Sequence, residues 1–235
     1  MEIVRTEPPV AEQIKDRHDR LLARLRAASE ASGYDPDRLR IVGITKGHSV
    51  EIVRRAAKAG LTILGENRVQ EAERKIEAVP DVEWHLVGQL QSNKERRAVR
   101  AFHAIHSVAS AEQLTRVAHR SAEEAHRPGF LLQVNVSGEA TKSGMVVDEV
   151  LAPAMIVAVR ETKPVGLMTI APMGASVDEA RAIFASLRRI RDELQQEAGL
   201  GLPELSMGMS ADAEAAAAEG ATMIRIGTAI FGPRA

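Results

Sequence analysis

Arg40–Lys46 reads RIVGITK, Ser49–Gly60 reads SVEIVRRAAKAG, and Leu61–Gly65 reads LTILG. The first stretch is a short run rich in β-branched residues, which predicts a strand ending at a lysine. Ser49 can cap a helix over the second stretch, and Gly60 can close it. The third stretch is a second apolar run of strand length. Strand, helix and strand in so few residues form the unit from which parallel sheets are built.

The alternation continues outward. Strands are predicted over 82–88 (VEWHLVG), 102–108, 130–136 (FLLQVNV), 164–170, 202–206 and 222–226 (TMIRI). Helices are predicted over 67–78, 92–100, 111–125, 147–160, 177–198 and 212–219. Ahead of the first strand, Ile14, Leu21, Leu22 and Leu25 recur at helical spacing and predict a helix over 11–31. Eight strands alternating with helices predict a single α/β domain over 1–235, a (β/α)8 barrel. A doubly wound open sheet is the alternative, but no glycine-rich dinucleotide fingerprint follows the first strand. The residues after the eighth strand are too few for an eighth outer helix, and the N-terminal helix could fill that gap.

Composition narrows the function. The 235 residues include no cysteine, which removes disulfides, thiolate metal sites and cysteine nucleophiles. With 31 Lys plus Arg against 32 Asp plus Glu, the net charge of −1 argues against a nucleic-acid binder. The basic cluster Lys94, Arg96, Arg97 and Arg100 reads as a solvated helix face. No apolar run approaches the length of a membrane span, and MEIVRTEPPV lacks a signal-peptide core. A cytoplasmic protein is the expectation. His85 and His106 lack metal-ligand spacing, so no metal is expected.

Barrels place their sites at the C-terminal ends of the strands. Strand parity puts Val42, Ile44 and Lys46 on one face; if the first two fill the barrel, Lys46 points into its mouth. Partial desolvation favours a free amine, the form that captures an aldehyde as a Schiff base. A surface lysine at a strand end would read the same way. Ser206, Gly208, Ser210, Gly227, Thr228 and Gly232 cluster after strands seven and eight, where barrels commonly hold phosphate. Arg225 lies within strand eight, where it needs a ligand or an internal partner. A lysine, a phosphate corner and a strand arginine together suggest a phosphorylated aldehyde, with pyridoxal 5′-phosphate (PLP) the leading case.

The stretches VGITK (42–46), LGENRVQE (64–71), WHLVGQLQSNK (84–94), HSV (106–108), LLQVNVSGEATKSG (131–144), GLMTIAP (166–172), LSMGMSAD (205–212) and IRIGTAIFG (224–232) together resemble the PLP homeostasis protein family. The resemblance runs from about Leu39 to Gly232. It implies a barrel similar to that of alanine racemase, with PLP held reversibly as a Schiff base on Lys46. By the same resemblance Ser206, Gly227 and Thr228 hold the phosphate and Arg225 faces the pyridine nitrogen. Asn67, His85 and Met168 line the pocket, and Lys142 is a secondary PLP contact. Gly47-His48-Ser49, Arg68 and Ala109 depart from the family pattern at the pocket rim.

An arginine beside the pyridine nitrogen disfavours its protonation and so weakens the ring as an electron sink. Related racemases use a second base, a tyrosine on an additional β-domain. Here the only tyrosine, Tyr34, precedes strand one, and the chain ends just after the barrel. The expectation is a non-catalytic PLP carrier acting in PLP and amino-acid homeostasis, a monomer with PLP-dependent apoenzymes as recipients. A weakly active PLP-dependent amino-acid racemase is the alternative, and a phosphosugar aldolase using Lys46 is a third reading.

Overall fold

Eight parallel strands close on themselves. The computed structural model describes residues 8–139 and 143–233. The strands are β1 (Arg40–Ile44), β2 (Ile63–Glu66), β3 (Glu83–Leu86), β4 (Ala104–Val108), β5 (Gly129–Gln133), β6 (Gly166–Met168), β7 (Glu204–Ser206) and β8 (Met223–Ile226). Each pairs with the next, and β8 pairs with β1, setting Val42 opposite Arg225. The predicted (β/α)8 architecture is present; the strands are mostly shorter than their apolar runs.

The helices are α1 (Ala11–Ala31), α2 (Val50–Lys58), α3 (Val69–Ala78), α4 (Glu95–Ala101), α5 (Ala111–Glu123), α6 (Val147–Val150), α7 (Pro153–Thr162), α8 (Val177–Ala198), α9 (Ala213–Ala218) and α10 (Thr228–Phe231). Local chemistry sets several of their ends. Ser49 caps α2, and Ser176 forms a capping box with Glu179 at the start of α8. Gly199, left-handed at φ 69°, ends α8. The helix predicted over 147–160 is two helices. Pro153 has no amide hydrogen and its ring crowds the preceding turn, so the chain breaks there and Pro153 opens α7 instead. Helix α1 lies against α9, α2 and α10, closing the outer ring where an eighth barrel helix would stand.

Alternation sorts the strand residues into two cores. Val42, Ile63, Leu131, Met168 and Met223 fill the barrel, with Ile44, Val87 and Val165 beside them. Their neighbours in sequence, among them Ile41, Leu64, Leu132, Leu167 and Ile224, face the helices in the larger outer core. Gly166 is needed where β6 meets β7: a Cβ there would lie 1.9 Å from the Glu204 carbonyl oxygen. The three arginines of the basic helix face are ion-paired in place, Arg96 to Glu123 and Glu124, Arg97 to Glu73, and Arg100 to Glu124. Among the described residues no helix is long and apolar enough to cross a membrane.

The barrel interior is not wholly apolar. His85, His106, Ser206 and Arg225 are buried with the aliphatic residues. Burial lowers the affinity of both imidazoles for a proton. Glu83 partly opposes this at His85, whereas at His106 the neighbouring His85 and Arg225 add to it and hold the group well below its ordinary value.

Two outcomes are expected from this packing. Gly166→Ala should destabilise the protein by about 3 kcal/mol, measured by chemical denaturation, because a backbone carbonyl cannot move aside like a side-chain tip. Stability should also fall as the pH is lowered from 7.5 to 5.5. In the unfolded chain the two imidazoles bind protons near pH 6.5, and in the barrel only at lower pH, so acid favours unfolding. The loss should be smaller in His106→Gln; an equal loss would show that His106 is not its source.

Candidate functional site

Lys46 stands two residues beyond the end of β1, half-buried. Val42 and Ile44 point into the barrel and Thr45 outward, and Lys46 stands in the turn that follows, at the C-terminal end of the strand where the barrel has its mouth. Its ammonium has no hydrogen-bond or ion-pair partner among the described residues. The backbone on either side of it is held firmly. Buried Lys75, on α3, donates to the Thr45 carbonyl at 2.8 Å, to Glu66 at 2.7 Å and to Glu71 at 2.8 Å. Glu71 in turn accepts the Gly47 amide at 2.7 Å, and the Thr45 hydroxyl donates to Glu66 at 2.6 Å. Gly47 turns the chain with φ 74°, a conformation that suits glycine.

Burial pushes the Glu66 carboxyl up, against the hydrogen bonds from Lys75 and Thr45, and its second oxygen is buried without a partner among the described residues. Burial also acts on Glu71, but the bonds from Lys75 and the Gly47 amide outweigh it and leave that carboxyl below its ordinary value. Sequence reasoning missed this cluster. The only local signal was the Glu71/Lys75 pair one helical turn apart, which on its own reads as an ordinary surface pair.

Arg225 lies inside the barrel, 5% exposed. Its guanidinium donates to the Ser206 hydroxyl at 2.7 Å and to the Thr169 carbonyl at 2.8 Å. Burial brings its pKa down to about 10, against the charge of Asp212. His106 Nδ1 lies 2.8 Å from the same Ser206 hydroxyl, and His106 Nε2 lies 3.0 Å from His85 Nδ1. Beyond His85, Glu83 comes within 3.6 Å, an electrostatic contact too long for a good hydrogen bond. Met168 is fully buried and sits opposite Ser206 in the β6–β7 register.

The structure thus joins Arg225, Ser206 and His85 through one polar chain, with Met168 beside it. Ser206 lies with its hydroxyl engaged on two sides inside the barrel. Gly227 and Thr228 stand at the end of β8, where Thr228 opens α10 and is exposed. The first turn of a helix leaves its leading amides unpaired within the helix. Asn67 is half-buried at the end of β2 and lines a groove of about 920 Å³ with His48, Arg68 and Gln89. That groove runs over the loops after β1, β2 and β3, beside the mouth rather than over the barrel axis. Lys142 falls outside the described residues. Tyr34 lies at the opposite end of the barrel, against Gly220 ahead of β8, with the Arg188 guanidinium 5.6 Å from its ring centre. Among the described residues no three His, Asp or Glu are grouped to hold a metal ion.

The alanine racemase N-terminal domain family matches residues 18–235. The pyridoxal phosphate homeostasis protein of Aquifex aeolicus is 38% identical over 222 residues, covering 93% of this chain and 97% of that one. The protein of the same name from Pseudomonas aeruginosa is 42% identical over 226 residues, covering 92% and 93%. Among solved structures, PipY of Synechococcus elongatus with PLP bound superposes with a TM-score of 0.77 at 40% identity, covering 88% of this chain and 98% of PipY. Alanine racemase from Clostridium difficile shares the fold alone, with a TM-score of 0.67 at 14% identity, over 89% of this chain and 58% of the racemase. A closed eight-stranded barrel with a lysine at its mouth and an arginine within it agrees with these likenesses, and the chain belongs to the pyridoxal phosphate homeostasis protein family.

Proposed function

We propose that this protein binds PLP reversibly at the barrel mouth and serves PLP homeostasis as a carrier without turnover, passing the cofactor to PLP-dependent apoenzymes. The reading is carried by the buried Arg225 guanidinium, placed beside β1 and fixed by Ser206 and Thr169 within the strand that leads to Gly227 and Thr228. The residues fit the group. Lys46 offers an amine without a competing partner among the described residues, and the start of α10 offers amides to a phosphate.

PLP, when bound, supplies an aldehyde that an amine can capture and a ring that takes up electrons when its nitrogen is protonated. In our reading Lys46 holds the cofactor as a reversible Schiff base. Arg225 faces the ring nitrogen and, being cationic, disfavours the proton that would make the ring an electron sink. Gly227 and Thr228 hold the phosphate, and Asn67, His85 and Met168 line the pocket. Ser206 serves the site by holding Arg225, since its hydroxyl already has two partners; phosphate contacts at this corner then fall to backbone amides. The distance of Tyr34 from the mouth supports a carrier over a two-base racemase. Closure of the barrel leaves no open sheet edge, which favours a monomer.

The test is an absorbance spectrum of purified protein incubated with PLP. A visible band that borohydride bleaches and that Lys46→Ala abolishes is expected; a wild-type protein that stays colourless would overturn the assignment. With alanine in deuterated buffer, no exchange of the α-proton above the rate of free PLP is expected. Rapid exchange would instead establish the racemase reading.

A further inference from the structure

The polar chain inside the barrel has a direction, set at both ends. An arginine side chain only donates hydrogen bonds, so Ser206 accepts from Arg225. The single hydroxyl hydrogen of Ser206 is then free to go to His106 Nδ1. That leaves the His106 proton on Nε2, which donates to His85 Nδ1. His85 in turn carries its proton on Nε2, toward the Glu83 carboxylate, an acceptor only. Reversing the chain fails twice. Ser206 would accept from both sides and leave its own hydrogen without an acceptor. His85 would turn a lone pair toward the Glu83 carboxylate.

We infer that His85 and His106 are positioning residues, two neutral Nε2–H imidazoles that relay donor direction from Arg225 to Glu83 and so hold Ser206 and Arg225 in one orientation at the ligand site. The chain crosses the barrel from β8 through β7 and β4 to β3, ending at Glu83, which opens its strand at the end opposite the mouth. His85 and His106 are almost fully buried, so water cannot substitute freely for either ring. Loss of His106 would leave the Ser206 hydroxyl hydrogen unpaired in the barrel. The hydroxyl could then turn, and the guanidinium it steadies would lose one of its two anchors.

The inference rests on Arg225 being the group that faces PLP, so its test has one arm that needs no ligand. Long-range proton–nitrogen NMR of histidine-labelled, ligand-free wild-type protein at pH 7.5 should find both rings neutral with the proton on Nε2. A proton on Nδ1 of either ring would overturn the inference whatever the protein binds. The second arm titrates PLP by visible absorbance. His106→Leu should bind PLP about tenfold more weakly. His106→Gln should stay within about twofold of wild type, because its amide can accept from Ser206 and donate to His85. Unchanged affinity in His106→Leu, or equal losses in both variants, would overturn the positioning role. Failure of the wild type itself to bind PLP would sink the cofactor reading, while the ring protonation in the first arm would still decide the chain.

Discussion

A guanidinium inside a barrel is tolerable only if its donors are met, because an unpaired buried charge costs far more than a buried apolar group gains. Arg225 imposes that condition on its surroundings. Thr169 must present its carbonyl inward, β7 must place a hydroxyl rather than an aliphatic group at Ser206, and that hydroxyl needs its own acceptor. The demand passes to His106, then to His85, and meets solvent only near Glu83, which is half-exposed. A region that other barrels fill with branched aliphatic residues is here given to a connected polar chain.

Lys46 is held by the opposite strategy. Its ammonium has no hydrogen-bond or ion-pair partner among the described residues, and its neighbours are fixed instead. Lys75, Glu66 and Glu71 form a cluster under the β1 end that grips Thr45 and Gly47 but does not touch the Lys46 ammonium. Removing one member of a buried ionic cluster typically costs about 3–5 kcal/mol, so the arrangement is stiff. Restricting the backbone while leaving the amine open suits a group that must take and release a ligand. The barrel thus sets a lysine whose ammonium meets no polar partner among the described residues against an arginine held by Ser206 and Thr169.

Much of this was legible residue by residue. Strand parity in RIVGITK placed Val42 and Ile44 inside and Lys46 at the mouth, because side chains alternate faces whatever the strand packs against. Arg225 was legible only as an arginine within strand eight that needed a partner; the structure puts it inside the barrel. The helix break at Pro153 was legible too, but the helical apolar pattern running through it outweighed the ring's effect on the preceding turn. Ser206 read as a phosphate contact because it sits in a Ser/Gly-rich corner; its partners, His106 and Arg225, are 100 and 19 residues away. Lys75 drew no notice in the sequence because nothing in its own helix says that β2 will place a glutamate beneath it.

The sequence by itself determined eight strands alternating with helices, the place of Lys46 at the end of the first strand and of Arg225 within the eighth, and the exclusion of cysteine chemistry. Each follows from short-range periodicity or from composition, which the chain carries locally. Only the tertiary structure decided what those groups touch. Barrel closure brings β8 against β1 and aligns β3, β4, β7 and β8 so that four polar side chains meet across the interior. Which atom donates to which depends on distances of 3 Å or less between residues far apart in sequence, and no local pattern encodes them.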